Sequence, residues 1–233
     1  MTRGEMATMG ATNQLPSTVG GVNTGALYDA QGNLTQIYGT PGLSTTQLTM
    51  TYDSLGRVTT LGDTANATSQ TYGYDDEGLR IKVTDSKTGL VKYNLYDESR
   101  HLIAQAEVLP GGSYTWKKDL IYVGDKEVAE VDATGKTWVQ FEDHLGSPRF
   151  EWDGTSTTTI DGVHLIAQKY APFGEYLNDP TTLAKFAKGF TNHEQTDASG
   201  LIYMQARFYA PMYGRFLSPD PARYQHFEQT QSW

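Results

Sequence analysis

A Tyr-Asp dipeptide recurs along this chain at an almost constant spacing, usually with two residues between the aspartate and a following glycine. The copies start at Tyr28, Tyr52 and Tyr74, and a fourth copy at Tyr96 has lost the glycine. The successive steps are 24, 22 and 22 residues. A fixed period of this length indicates stacked supersecondary units, and such arrays more often build a surface or a container than an active-site cleft.

Each copy reads as a β-hairpin. Residues after the glycine alternate between apolar and polar in 57–61 and 79–83, which is the pattern of a half-buried strand. We expect the aspartate to accept main-chain N–H bonds across the turn, the glycine to supply a positive φ, and the tyrosine ring to stack on the tyrosine of the next unit. The turn residues predicted in this way are Tyr28, Asp29, Gly32, Tyr52, Asp53, Gly56, Tyr74, Asp75 and Gly78.

The pattern predicts an all-β fold, a curled array of antiparallel β-hairpins with one short loop or helical insertion near 177–190. Residues 1–25 are predicted to be a partial first repeat or disordered, 26–160 the hairpin repeats, 161–221 a more irregular core region, and 222–233 a loose tail. We expect the N-terminal end of the array to be an unpaired strand edge, which would favour self-association or docking onto a neighbouring segment.

The composition excludes several classes of function. The net charge of −9 over 233 residues, with lysine and arginine scattered, argues against a nucleic-acid partner. The absence of cysteine excludes disulfides and thiolate metal sites. No stretch approaches the roughly 20 apolar residues of a membrane span, and the N-terminus lacks the apolar core of a secretory signal. No cofactor is predicted.

Four motifs in the same order resemble the RHS/YD-repeat family of bacteria, and in particular its RHS repeat-associated core domain. They are the repeat at 52–57, Asp-His-Leu-Gly-Ser-Pro-Arg at 143–149, Tyr-Ala-Pro-Phe-Gly-Glu at 170–175, and the run that ends in Gly-Arg-Phe-Leu-Ser-Pro-Asp-Pro at 214–221. The resemblance covers about 26–221. The family hallmark residues carried over are Asp143, His144, Gly146, Pro148, Arg149, Gly214 and Arg215.

The resemblance implies a β-sheet wound into a hollow shell, secreted or displayed on the cell surface, that encloses a C-terminal toxin and releases it by aspartyl self-cleavage. Other repeat segments or the toxin cargo would then be the partners. Two departures suggest a truncated member. The family's usual Tyr-Asp-Pro is Tyr-Ala-Pro at 209–211, and the Asn-Asn-Pro and Asp-Pro-x-Gly segments of the cleavage region are absent.

Asp220 matches the aspartate that the family places before its cleavage region. An aspartyl mechanism needs two carboxylates that share a proton. Asp220 is the one family aspartate that this chain retains, so the pair is incomplete. The favoured interpretation is therefore that Asp220 caps a turn between two prolines. No metal site is predicted from the five histidines, and His144 is expected to form a turn hydrogen bond. The repeat aspartates have the spacing of turn caps and not of a calcium loop.

Three functions remain open at this stage. The first is a structural segment of an RHS shell without catalysis of its own. The second is an aspartyl autoprotease-like core module that uses Asp220. The third is a carbohydrate-binding surface protein, with sugar rings stacked on the tyrosine ladder, although plain cross-strand packing of the tyrosines is favoured.

Overall fold

A computed structural model describes residues 14–19, 21–40, 43–155, 160, 163–177, 187–195 and 199–221. The centre of the predicted insertion near 177–190, the first thirteen residues and the predicted tail 222–233 lie outside these ranges. The strands are β1 (Thr18–Val19), β2 (Val22–Asn23), β3 (Leu27–Tyr28), β4 (Leu34–Thr40), β5 (Leu43–Tyr52), β6 (Val58–Asp63), β7 (Thr68–Tyr74), β8 (Arg80–Asp85), β9 (Val91–Tyr96), β10 (Leu102–Val108), β11 (Thr115–Val123), β12 (Lys126–Asp132), β13 (Thr137–Glu142), β14 (Pro148–Trp152), β15 (Leu165–Ala167), β16 (Glu194–Gln195), β17 (Ile202–Met204), β18 (Arg207–Ala210) and β19 (Arg215–Phe216).

Strands β3 to β15 form one 13-stranded sheet whose strand order is the chain order, and every neighbouring pair is antiparallel. Strands β16 to β19 form a separate four-stranded sheet, called here the small sheet, and β1 pairs with β2. The prediction of an all-β array of antiparallel hairpins is therefore confirmed. Within the described ranges, no helix is long and apolar enough to cross a membrane.

The hydrophobic core lies between the small sheet and one face of strands β4 to β8, called here the inner face. The large sheet contributes Ile37, Leu48, Met50, Val58, Leu61, Tyr72 and Val83. The small sheet and the loops around it contribute Leu201, Tyr203, Phe208, Ala210, Tyr213 and Leu217. Because these side chains come from residues more than 110 positions apart, the core joins the repeat array to the C-terminal part of the chain.

The edges of the large sheet are short. Strand β3 has two residues and β15 has three. Beyond β3 the main chain still pairs with the array, because the Tyr38 N–H donates to the Thr24 carbonyl at 2.8 Å. Short edge strands limit pairing with another chain. Within the described ranges β3 is the N-terminal edge strand of the large sheet, and self-association through this edge stays a prediction.

Candidate functional site

The Tyr-Asp turns close by one repeated set of hydrogen bonds. At Asp53 the main-chain N–H donates to the Arg57 carbonyl, and the Gly56 N–H donates to the Asp53 carbonyl, each at 3.0 Å. The Asp53 carboxylate accepts bonds from the N–H groups of Leu55 and Arg57 at 2.9 Å. Burial alone would raise the pKa of Asp53, but these bonds and that from the Arg57 guanidinium hold it below its usual range. Asp53 is thus a turn cap with a stabilised negative charge.

The same turn recurs at Asp29, Asp75 and Asp97. The glycine position has a positive φ in each copy that keeps the glycine, for example 78° at Gly56. In the fourth copy Arg100 stands there with a φ of 69°, a conformation that costs a non-glycine residue about 1 kcal/mol. In these turns the aspartates accept main-chain N–H bonds and the glycines have a positive φ.

The tyrosines of the repeat connect successive units through their hydroxyl groups rather than through ring stacking. The Tyr52 hydroxyl donates to the Leu34 carbonyl and the Tyr74 hydroxyl to the Val58 carbonyl, both at 2.7 Å. Each acceptor lies just after the turn of the preceding unit. Burial raises the pKa of both phenols above the usual range, which keeps them protonated as donors. These tyrosines are therefore ties between hairpins.

A buried ion pair fastens the small sheet to the array. Arg80 Nη2 on β8 lies 3.0 Å from Glu194 Oε2 on β16, with the two side chains 4 % and 8 % exposed. Glu194 also accepts bonds from Asn94 Nδ2 at 2.9 Å and from the Tyr96 hydroxyl at 2.7 Å. The Arg80 guanidinium lies 4.2 Å from the centre of the Tyr203 ring. The charge of Glu194 is thus neutralised and fully hydrogen-bonded inside the protein.

A second seam joins the end of the small sheet to the first repeats. The Leu34 N–H donates to the Leu217 carbonyl at 2.7 Å, so the main chain of the array and of the C-terminal region are bonded directly. The Tyr213 hydroxyl donates to the Tyr38 carbonyl at 2.9 Å. Tyr213 ends a short 3₁₀ turn, Pro211–Tyr213, that is closed by the predicted hallmark Gly214 with a φ of 63°. Gly214 therefore serves the seam by ending this turn.

The hallmark segment 143–149 forms another turn of the same kind. The Asp143 carboxylate accepts bonds from the N–H groups of Leu145 and Ser147, and Gly146 has a φ of 77°. Arg149 Nη1 donates to Asp143 Oδ2 at 3.4 Å. Beyond the turn, the Ser147 hydroxyl accepts the Thr191 N–H at 2.9 Å, which ties this hairpin to the segment that leads into β16.

The remaining hallmark residues have structural positions too. His144 is exposed at the turn, Pro148 begins β14 opposite Glu142, and Arg215 begins β19 opposite Ala210. Burial lowers the pKa of Arg215, a shift that the nearby Tyr28 opposes.

Asp220, the candidate catalytic residue, forms an ion pair with Arg207. Arg207 Nη2 lies 3.1 Å from Asp220 Oδ2, and the guanidinium covers the Phe216 ring at 3.8 Å. Asp220 lines a cleft of about 560 Å³ together with the repeat aspartates Asp29 and Asp53. Those two carboxylates already cap their own turns. The cleft therefore brings three carboxylates to one place, each with a structural partner, and a catalytic role of Asp220 stays a prediction.

A group of buried charges on β11, β12 and β14 was not predicted. Glu127, Glu130 and Glu151, called here the glutamate cluster, are 0, 2 and 1 % exposed. Lys118 pairs with Glu130, and Lys188 Nζ lies 3.0 Å from Glu127 Oε2. The glutamate cluster is therefore shielded from solvent, and its ion pair with Lys188 holds the segment around Lys188 against the sheet.

Burial shifts the ionisation of the glutamate cluster. It raises the pKa of Glu127 to about 7, against the opposing charge of Lys188. It raises the pKa of Glu151 well above the usual range, and the nearby charge of Glu130 adds to this shift. Glu151 Oε1 accepts no hydrogen bond within the described ranges. Among all the residues that the structure describes, no group of three or more His, Asp or Glu side chains is arranged to hold a metal ion.

The sequence offered no signal for this cluster because a β-bulge creates it. Ile121 pairs with Ala129 while Tyr122 pairs with Glu127, so β12 has an extra residue at this point. The bulge brings Glu127 and Glu130 to the same face, although strict alternation places residues three apart on opposite faces.

Comparison with known proteins agrees with this architecture. The RHS repeat family model matches residues 28–68, which contain the first two Tyr-Asp turns. The chain is 29 % identical over 196 residues to the tRNA3(Ser)-specific nuclease WapA of Bacillus spizizenii, covering 83 % of this chain and 7 % of that protein. It is 28 % identical over 219 residues to toxin subunit YenC1 of Yersinia entomophaga, covering 84 % of this chain and 21 % of the relative.

A third relative is double-stranded DNA deaminase toxin A of Burkholderia cenocepacia, 29 % identical over 220 residues, with 83 % of this chain and 15 % of that protein covered. The chain thus spans about a fifth or less of these relatives. Among solved structures, the crystal structure of TcdB2-TccC3 superimposes with a TM-score of 0.56 at 20 % identity, covering 84 % of this chain and 10 % of that one, which shows a shared fold. The match to the family model shows that residues 28–68 of this chain are RHS repeats, and they lie within its 13-stranded hairpin array.

Proposed function

We propose that this chain is a structural segment of an RHS repeat shell of the kind that encloses and delivers a C-terminal toxin, in a secreted or surface-displayed bacterial protein, without catalysis of its own. Its partners would be other repeat segments of the shell and the toxin cargo. Support comes from the continuous hairpin array and from relatives that are named as a nuclease, a toxin subunit and a deaminase toxin.

The observation that carries the proposal is the fastening of the small sheet to the inner face. The Arg80–Glu194 ion pair, the core beneath it and the Leu34–Leu217 main-chain bond make the array and the C-terminal region one body. A container wall needs this rigidity. An active site instead needs carboxylates that are free to exchange protons, and those around Asp220 are bonded to turns or to Arg207.

A chimera tests the proposal. This chain would replace the matching 219-residue region of toxin subunit YenC1, with a folded reporter fused after it, and the reporter's resistance to added protease would be measured. We expect the reporter to be protected as in the unaltered relative. A matched chimera that carries Glu194→Ala should lose protection. Digestion of the reporter in the first chimera as fast as in the free reporter would contradict the proposal.

A further inference from the structure

The two faces of the large sheet exchange polarity about midway along it. The face opposite the small sheet, called here the outer face, is polar in strands β5 to β8. One row of directly paired residues runs across these strands and consists of Thr51, Thr60, Thr71 and Thr84. A parallel row consists of Thr49, Gly62 and Ser69. The core of these strands lies on their inner face, as expected for a sheet with one wet side.

From β9 onward the outer face becomes apolar. One row of paired residues crosses five strands and consists of Ile121, Ala129, Val139, Trp152 and Leu165. The next row on the same face consists of Phe141, Phe150 and Ala167. Two more rows lie on this same face, on the other side of the Ile121 row. The first consists of Leu95, Ala104, Asp119, Val131 and Thr137, and the second of Tyr93, Ala106 and Trp116. These four rows are called here the apolar outer face.

The inner face of the same strands is covered and mixes carboxyl groups with apolar side chains, since Leu120 lies opposite Glu130 and Ile166 opposite Glu151. Its paired rows include Gln140 opposite Glu151, and Glu130 opposite Trp138. The segment around Lys188 lies against it through the glutamate cluster. These strands therefore bury three glutamates on one face and leave large hydrophobic side chains exposed on the other, which is unusual for a half-exposed sheet.

The exposed apolar area is large enough for a stable interface. Trp116, Phe141 and Phe150 remain 46, 48 and 38 % exposed. Since aromatic side chains bury about 150–250 Å² each when covered, these three alone expose roughly 250 Å². Leu95, Ile121 and Val139 of these rows are 41, 43 and 38 % exposed. Val123, two residues beyond Ile121 and therefore on the same side of the sheet, is 70 % exposed, and the total is on the order of 500 Å². A standard interface covers about 800 Å² per partner, of which somewhat more than half is apolar.

We propose that the apolar outer face is an interface and that its occupant is a second copy of this chain, packed face to face by a twofold axis. The area agrees with the apolar share of one partner in such a dimer. A second copy also presents a pleated sheet of the same spacing, which aligned sheet packing requires. The charged side chain within the rows, Asp119, accepts a bond from Trp116 Nε1 at 2.9 Å, which offsets part of the cost of burying its carboxylate. This contact differs from edge pairing and goes beyond the shell function proposed above.

Sedimentation equilibrium of the full 233-residue chain tests this inference. We expect a mass of twice 25.8 kDa at about 100 µM, falling toward one chain mass on dilution. The variant Phe141→Asp with Phe150→Asp should weaken association at least a hundredfold. The matched control Leu55→Asp changes a residue that is 67 % exposed in a Tyr-Asp turn away from this face, and it should leave association unchanged.

A second measurement covers the case in which the aspartate variant unfolds. Hydrogen exchange of the wild-type chain would be compared at low and high concentration. Amides of β11 to β14 should gain protection at high concentration, while those of the Tyr-Asp turns should not. A wild-type chain that is monomeric at about 100 µM, or a dimer that survives the double variant as well as it survives Leu55→Asp, would overturn the inference.

Discussion

Arg80 and Glu194 form a buried ion pair across 114 residues of sequence, with 3.0 Å between Nη2 and Oε2. Arg80 begins a strand of the repeat array, and Glu194 begins the small sheet. The pair has no freedom to separate without leaving two charges in the protein interior. It therefore couples the folding of the repeats to the docking of the C-terminal region.

Removal of one partner should destabilise the whole chain. In Glu194→Ala the Arg80 guanidinium stays buried without its carboxylate, which costs about 3–5 kcal/mol in the free energy of unfolding. Chemical denaturation followed by circular dichroism measures this loss. The control Lys117→Ala breaks an exposed pair with Glu107 and should cost at most about 1 kcal/mol. Equal losses of unfolding free energy in the two variants would show that the buried Arg80–Glu194 pair contributes no more to stability than the Lys117–Glu107 pair.

Substitutions at the glycine position of the Tyr-Asp turn should change the stability of the protein in opposite directions in two copies. Arg100 has a φ of 69°, so Arg100→Gly relieves strain and should stabilise the protein by about 0.5–1 kcal/mol. Gly56 has a φ of 78°, so Gly56→Ala should destabilise it by about 1 kcal/mol. Thermal unfolding of both variants against wild type checks the signs. Two shifts in the same direction would count against a shared turn geometry.

The glutamate cluster should make the protein more stable at mildly acidic than at alkaline pH. The folded pKa of Glu127, about 7, lies above its value of 4.5 in the unfolded chain, and that of Glu151 is raised in the same direction. The folded state therefore binds more protons, so this contribution is fully present below about pH 4.5 and is lost as the pH rises through the folded pKa.

Denaturation midpoints at pH 5 and pH 8 measure this effect. Wild type should lose on the order of 1–3 kcal/mol between the two values, and Glu151→Gln should lose less. Burial lowers the pKa of His193, so this residue makes the protein less stable as the pH falls below the ordinary value of 6.5. This contribution is the same in wild type and in Glu151→Gln, and it cancels when their stabilities are compared. Identical pH profiles for wild type and Glu151→Gln would rule out Glu151 as the titrating group.

The purified chain should not cleave itself. The Asp220 carboxylate is paired with Arg207, and its neighbours Asp29 and Asp53 cap their own turns, so a carboxylate pair that shares a proton is not preformed. Mass spectrometry should show one species of 25.8 kDa over days at mildly acidic pH, in wild type and in Asp220→Asn alike. Fragments that form in wild type and are missing from Asp220→Asn would instead favour the autoprotease.

Local patterns in the sequence are enough to derive the turns. The Asp-x-x-Gly spacing carries its own hydrogen-bonding logic, so the positions of Asp53 and Gly56 follow from neighbouring residues alone. The partner of Glu194 could not be predicted in this way, because Arg80 reaches it only after the small sheet folds back onto the array. The same holds for the hydroxyl bonds of Tyr52 and Tyr74, which depend on the stacking distance between hairpins.

Which face of β11 to β14 is buried could not be predicted from the sequence, for a different reason. Alternation in a strand reveals two faces but not which one is buried, and the usual assumption places glutamates in water and phenylalanines inside. Here Glu151 is covered and Phe150 is exposed. A bulge in β12 then breaks the alternation itself at Glu127.

We expect the repeat array and the small sheet to unfold as one cooperative body. Native-state hydrogen exchange measures it most directly, through the opening free energies of amides in β5 to β8 and in β17 and β18. We predict that the most protected amides of both sheets open with the same free energy, and that Glu194→Ala lowers both together. Opening of β17 and β18 at a free energy several kcal/mol below that of β5 to β8 would show instead that the small sheet unfolds independently of the array.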